Sequence, residues 1–484
     1  MKLKTLLFLF AALALSACCK DDDTPAVNID RTEAQQWIEE KLRAEYLWYT
    51  EIPASDKLDY TLDTEAFFNS LLSKKDGKNY TGSDGKQYHS YFSYIEKLTE
   101  TEAATRGFIN DKDSYGMEIL GLNVSINNNG QTELYGLVCY VLPGSPAEEA
   151  GIQRGDWIVR RDNKPMSAVS EMTSGAACSF LLATAETTAQ GTTFTPKETV
   201  DIAASCAVTD NPIHFYTILP TDNGKQVGYL VYNQFEAGIN GSATDTSYDD
   251  QLKELSTYFT GVDEFVLDLR YNNGGLLSSA MILCNILCPQ AAFGKDLGYL
   301  EYNKGSKSVI RPTKAQLEGI HNLNLPTLYV LTSEETASAS EMVINSLRPY
   351  MQVVVIGERT VGKDVGSVEY TDDTQTWKMH PIVCRITNSE GKGDYSNGLT
   401  PDEEVSEVFK YNAQGYVTGL YDVLPLGDSN ERVLKAALDR IGQQTRAVLP
   451  EAAEPTGDDH TLFRKAGSSL SRKATAVIID PSFQ

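Results

Sequence analysis

The stretch Thr327-Leu328-Tyr329-Val330-Leu331-Thr332-Ser333-Glu334-Glu335-Thr336-Ala337-Ser338-Ala339-Ser340-Glu341 passes from β-forming apolar residues, through a short polar loop, into small residues where a helical pattern begins. The same alternation extends to both sides. Gly228 to Phe235, Phe265 to Leu269 and Val353 to Ile356 read as strands, and the segments near Asp249 to Phe259 and Leu276 to Leu287 read as helices. Strands alternating with helices predict an α/β domain with a mainly parallel sheet and functional loops at the strand ends. Residues 212–444 are assigned to it, closed by a helix through Ile441 that Asp428 and Glu431 cap.

Three of its loops carry candidate chemistry. Ser338-Ala339-Ser340-Glu341 reads first as a capping box, in which a serine and a glutamate three residues later satisfy each other's amides. Its second reading is catalytic: a serine at a helix start exposes its hydroxyl, and the Ala339 amide points toward an oxygen bound beside it. Leu267-Asp268-Leu269-Arg270-Tyr271-Asn272-Asn273-Gly274-Gly275 is a strand entering a glycine pair, either a tight packing turn or a source of amides for an anion, with Gly274 as the second donor. Val353 to Ile356 runs into Gly357-Glu358-Arg359-Thr360-Val361-Gly362-Lys363, which returns a lysine to the same sheet edge. A lysine activates a serine only when burial lowers its pKa by up to ~3 to 5 units from ~10.4. A serine and a lysine so placed point to a hydrolase that uses no histidine.

Upstream, residues 30–110 read as a small helical domain. Asp30 and Glu33 are expected to cap a first helix bearing Ile38, Leu42, Tyr46 and Tyr49, and Asp63 opens a second through Leu72. Asp76-Gly77, Gly82 and Asp84-Gly85 mark a turn-rich loop before Tyr91 to Ile95. Beyond Ser114 the pattern changes to strands, Leu120 to Ile126 and Leu134 to Leu142. There follow Pro143-Gly144-Ser145-Pro146-Ala147-Glu148-Glu149-Ala150-Gly151-Ile152 and Arg154-Gly155-Asp156-Trp157-Ile158-Val159, and residues 114–208 around them resemble a PDZ domain of the bacterial protease-associated kind. That resemblance implies binding of a peptide as an added strand, with Leu120-Gly121-Leu122 the candidate loop for a terminal carboxylate; the alternative for Gly121 is a strand bulge.

Lys2 and Lys4 precede the apolar run Leu6 to Leu15, the form of an export signal rather than of a membrane span. Leu15-Ser16-Ala17-Cys18 resembles a bacterial lipobox, which implies cleavage after residue 17, acylation of Cys18 and anchoring to the outer membrane, on its periplasmic or outer face. The acidic segment at 18–29 reads as a linker, and Cys19-Lys20-Asp21-Asp22-Asp23 resembles the surface-export signals of Bacteroides lipoproteins. At 484 residues the chain needs several domains, and a net charge of −24 argues against binding nucleic acid or anionic headgroups through charge. The body cysteines, Cys139, Cys178, Cys206, Cys284, Cys288 and Cys384, sit mostly in apolar runs, so buried free thiols are at least as expected as bridges, and no cluster suggests a metal. Residues 445–484 read as a mostly irregular tail with one strand at Ala476 to Ile479.

Taken together, Gly228-Tyr229-Leu230, Asp268-Leu269-Arg270 with Gly274-Gly275, the Ser338 run, Gly362-Lys363 and Gly398-Leu399-Thr400-Pro401-Asp402 resemble the C-terminal processing, or tail-specific, serine peptidases. The resemblance covers about residues 30 to 441. It implies a ClpP/crotonase-like peptidase domain, Ser338 as nucleophile, Lys363 as base, Gly274 and Ala339 as oxyanion donors, polypeptide substrates engaged through their C-terminal tails, and no cofactor. Some members carry an aspartate eleven positions past the serine and a glutamine four past the lysine. Here Pro349 and Ser367 stand in those places, which leaves Glu341 and Ser367 as residues that could orient Lys363. Two rival readings stand: an inactive peptide- or glycan-binding lipoprotein on the same fold, and a serine–histidine enzyme of the related tricorn type using His214 or His380.

Overall fold

The computed structural model describes residues 31–81, 86–98, 113–125, 131–189, 191–239, 245–442, 463–469 and 477–479. The export signal, Cys18 and the acidic linker lie outside them. Among the described residues no helix is long and apolar enough to cross a membrane.

The expected α/β sheet has six strands in the order Ile213–Pro220, Gln226–Tyr232, Glu264–Asp268, Thr327–Thr332, Gln352–Gly357 and Glu403–Glu404. The first pair is antiparallel and the others are parallel. Strand side chains alternate between two apolar layers. Leu230, Leu267, Leu328 and Val355 pack on the helices Ser247–Tyr258, Leu277–Leu287 and Ala339–Leu347, while Tyr229, Val266, Tyr329 and Val354 pack on the helix Arg432–Ile441. A sheet covered on both faces needs near-continuous apolar strands, which is how these read. The closing helix is capped by Glu431, whose carboxylate accepts the Leu434 amide at 2.9 Å; Asp428 instead accepts from the Asn430 amide, so the expected shared cap belongs to Glu431 alone.

Among its described residues the N-terminal region holds two α-helices, Glu33–Glu45 and Thr64–Ser70, and is not purely helical. The first is capped by Thr32 with Gln35 in a reciprocal box, with the expected capping residue Glu33 inside the first turn; Asp30 lies outside the described residues. Asp63 caps the second, as expected. Short strands Lys78–Thr81 and Gln87–Ser90 form a hairpin, and Tyr94–Lys97 joins Trp377–His380 of the α/β domain. The apolar cluster around Ile38, Leu42, Tyr46, Phe67 and Phe68 also includes Val365, Met379 and Ile382, so this region closes its core only against the domain it covers.

The PDZ-like region is a six-stranded antiparallel sheet that includes Met117–Ser125, Thr132–Val141, Trp157–Arg161, Cys178–Thr188 and Gly191–Ile202. Arg154 links it to the α/β domain: its guanidinium bonds Glu407 and the Tyr271 hydroxyl and donates to the Leu424 carbonyl at 2.7 Å. Arg270 lies beside it, fully buried, paired with Asp268 at 2.7 Å, Glu431 at 2.9 Å and Glu407 at 3.0 Å. Burial alone would push the Glu407 carboxyl up, but the two guanidiniums and the Tyr271 hydroxyl outweigh it and hold the group at about 2.

Two corrections concern the C-terminus. The described parts of 445–484 are not irregular: Phe463–Ser468 is a strand, and Val477–Ile478 is a strand where one was expected. Phe463–Ser468 pairs antiparallel with Met117–Ser125, Ser468 opposite Leu120 and Lys465 opposite Leu122. Leu120-Gly121-Leu122 therefore lies within a strand paired on both edges, not in a loop with free amides; the ladder with Thr132–Val141 shifts register at Glu118/Ile119, and the ladder with Phe463–Ser468 shifts between Lys465 and Gly467, opposite Leu122 and Gly121, in keeping with the bulge alternative for Gly121. All six described cysteines are unpaired; Cys139, Cys284, Cys288 and Cys384 are buried and Cys206 is exposed.

Candidate active site

Ser338 sits at the end of the loop from Thr327–Thr332, immediately before the helix Ala339–Leu347, with φ 63° and ψ −115°. A non-glycine residue in such a conformation costs about 1–3 kcal/mol and persists where the surroundings over-determine it. Ala337 donates to the Asn272 carbonyl at 3.1 Å, and Val361 donates to the Thr336 carbonyl at 2.9 Å, fixing the loop from both sides. The Ser338 hydroxyl is buried and has no hydrogen-bond partner. It does not cap the helix. Only the reverse half of the expected box forms, with Glu341 Oε2 accepting the Ser338 amide at 2.8 Å.

Glu341 does more than close that box. The same oxygen accepts the Lys363 amide at 2.8 Å, while Oε1 accepts the Gly362 amide at 2.6 Å and the Thr360 hydroxyl at 2.5 Å. One buried carboxylate thus fixes the serine backbone to the lysine loop. Burial pushes its pKa up despite these four donors. Glu341, expected as a residue that could orient Lys363, meets it at the backbone; no hydrogen bond joins the carboxylate to the ammonium among the described contacts. Ser367 enters through its backbone, its carbonyl accepting the Ile479 amide at 3.0 Å.

Lys363 is 2 % exposed, and burial lowers its pKa to about 7, against the raising effect of Asp76 and then of Glu341. The apolar cover comes from the N-terminal region: the Phe92 ring centroid lies 4.8 Å from Nζ. Asp76 holds Phe92 in place by accepting its amide at 3.0 Å, and also accepts the Ser93 amide and the Tyr46 and Ser93 hydroxyls. Lys78 reaches from the same region to the Val361 carbonyl, two residues before Lys363. Sequence reasoning missed Phe92, Asp76 and Lys78. The aromatics from Tyr91 to Ile95 read as core and Asp76-Gly77 as a turn, and neither carries a local signal of a catalytic neighbour.

Gly274 and Gly275 adopt φ of 111° and 133°. A Cβ on Gly274 would stand 2.6 Å from the Ser338 Cβ and 2.9 Å from its Oγ, so glycine is required for the close approach. The Gly274 amide, however, donates to Asn272 Oδ1 at 2.8 Å. In this structure the Gly274 amide is thus engaged by a side chain, while Ala339, named with it as an expected oxyanion donor, stands at the first position of the helix, where backbone amides lack intrahelical partners. His380 stacks on Tyr94 at 4.3 Å between ring centroids and lies 3.4 Å from Glu96, and His214 packs on Tyr140 at 4.6 Å. Neither bonds Ser338, as the serine–histidine reading requires.

A fold with a PDZ-like module, a roofing N-terminal region and a strained serine at a helix start of a mainly parallel sheet defines a multidomain α/β peptidase. The sequence matches the family model "Peptidase family S41" over residues 226–405, "Peptidase S41 N-terminal domain" over 33–94 and "PDZ domain" over 137–186. It is 30% identical over 350 residues to a carboxyl-terminal-processing protease of Picosynechococcus sp., covering 71% of this chain and 75% of that one. It is 28% identical over 272 residues to the carboxy-terminal processing protease CtpA of Bacillus subtilis, covering 55% and 52%. A Bacteroides fragilis structure assigned to the S41 proteases superposes with a TM-score of 0.71 at 34% identity, covering 84% of this chain and 97% of that one. The chain belongs to peptidase family S41, the C-terminal processing proteases, and is a serine-type peptidase acting on polypeptides.

Proposed function

We propose that the chain is a lipid-anchored endopeptidase in which Ser338 is the nucleophile and Lys363 the base. The observation that carries this is a lysine with a pKa of about 7, buried under Phe92 and tied through one glutamate oxygen to the backbone of a strained, unpartnered serine. Lys363 Nζ takes the Ser338 proton as Oγ attacks the peptide carbonyl, and the Ala339 amide receives the developing oxyanion. The tetrahedral species collapses as the ammonium returns the proton to the leaving amine. Water, deprotonated by the same lysine, then releases the acyl group and regenerates the serine. Phe92 keeps the lysine dry between these steps.

Substrates on this reading are engaged through their C-terminal tails at the PDZ-like sheet, and the mature chain begins at acylated Cys18 in the outer membrane. The test compares hydrolysis of an unstructured polypeptide by the mature protein and by Ser338→Ala; equal rates would remove the assignment. For the anchor, Cys18→Ala is expected to abolish incorporation of labelled palmitate and release the protein from membranes.

A further inference from the structure

The strand Met117–Ser125 is the edge at which a peptide would add to the PDZ-like sheet, and it is already taken by this chain's own residues Phe463–Ser468. Three further contacts extend the seat. Phe463 is buried with Leu122 and Val124 and meets Phe194 edge-on, ring centroids 6.4 Å apart. At the other end, Ser469 donates its amide to the Ile119 carbonyl at 2.9 Å, accepts the Ile119 amide on its hydroxyl at 2.7 Å and gives that hydroxyl's proton to Glu118. Between them, the Lys465 ammonium lies 3.1 Å from Glu335 and 3.4 Å from Glu334, on the loop that leads to Ser338.

Residues 477–479 lie beside the site itself. Ile478 donates to the Gly275 carbonyl at 3.0 Å, and Val477–Ile478 runs parallel to Val365–Ser367, the strand that follows Lys363. A strand that adds to a sheet edge, buries an aromatic side chain in an apolar pocket and pairs its lysine with the loop that leads to the serine, as 463–469 does, makes the contacts of a bound peptide.

We propose that residues 463–469 are a cis ligand of the PDZ-like edge, which incoming polypeptides must displace, and that preferred substrates share its pattern of a buried aromatic residue followed by small hydroxyl residues. The second half rests on the peptidase reading above; the first does not. A ligand tethered in cis acts at an effective concentration of order mM, so it suppresses binding in trans strongly.

The probe is a fluorescent peptide of residues 461–484, added to Ser338→Ala protein so that nothing is cleaved, with binding followed by anisotropy. Protein ending at residue 460 and full-length protein carrying Phe463→Asp with Ser469→Pro are expected to bind it at least about tenfold more tightly than the unaltered full-length chain. In the active background, the full-length form carrying Phe463→Asp with Ser469→Pro is expected to lower KM for a long unstructured polypeptide while leaving kcat for a short peptide unchanged. Equal binding by all three proteins, or no binding by the altered forms with native melting curves, overturns the proposal. Unfolding of both altered forms also overturns it, making Phe463–Ser468 an integral strand. Peptide binding without any hydrolysis by the active protein would instead remove the peptidase reading and leave the cis ligand standing.

Discussion

Phe92 stands with its ring 4.8 Å from the Lys363 ammonium, although the two residues belong to different regions of the chain. The ring favours a cation weakly but excludes water strongly, and burial, the largest influence on Lys363, tips the balance toward the neutral amine. Phe92→Ala is expected to admit water, raise the Lys363 pKa and move the midpoint of the pH–rate profile upward by about one unit. An unchanged midpoint in kcat/KM would show that the ring does not control the base.

The pH profile itself follows from the sign of the shift. With a folded pKa of about 7, the free base is populated above neutrality, so kcat/KM is expected to climb through pH 7 and level off above it. Stability has the same direction. Between about 7 and 10.5 the unfolded lysine binds a proton that the folded one does not, so folding stability contributed by this group rises with pH across that window and is lowest below it. Lys363→Met is therefore expected to raise Tm near neutral pH while abolishing hydrolysis, and to flatten the pH dependence of urea unfolding above 7.

Glu341→Gln keeps the shape of the side chain but puts an amide group where one oxygen accepted two donors. Loss of alignment between Ser338 and Lys363 is expected to lower kcat by on the order of 10²-fold with little change in KM. Because the carboxylate raises the lysine pKa, its removal is also expected to shift the pH midpoint downward, a readout that a purely structural role would leave in place.

Much of the peptidase fold was legible because its strands are buried on both faces and its loops carry small residues and glycines. The strand–loop–helix at Ser338, the glycine pair and the returning lysine loop are all local patterns, and each occupies its expected place. What was not legible depends on distant pairing. The Ser338-to-Glu341 spacing gives the same signal for a cap and for the half-box observed, since a positive φ at serine has no sequence mark. Likewise, Arg464-Lys465-Ala466 is polar or small throughout, so Phe463–Ser468 shows no alternation and becomes a strand only against Met117–Ser125. Phe92 read as core because covering a lysine and covering a core demand the same side chain.

Gly274→Ala tests the close approach directly. The added methyl would enter the space of the Ser338 side chain at a φ of 111°, and a loss of about 1–3 kcal/mol in unfolding free energy is expected together with loss of activity. Normal turnover by this variant would show that the turn has room that the structure denies it.

Arg270→Met removes the cation shared by Asp268, Glu431 and Glu407 and leaves buried carboxylates uncompensated. Urea unfolding is expected to show a loss of about 3–5 kcal/mol, and an effect below about 1 kcal/mol would mean that Arg154 alone neutralises the group.

The shared sheet between Tyr94–Lys97 and Trp377–His380 sets the order in which the chain becomes dangerous. Until the last strands have been made and the first region has docked on them, Lys363 is wetted and charged, and in the proposed mechanism the serine has no base. A chain not yet folded is thus harmless to its neighbours, and competence to cut arrives only with completed folding.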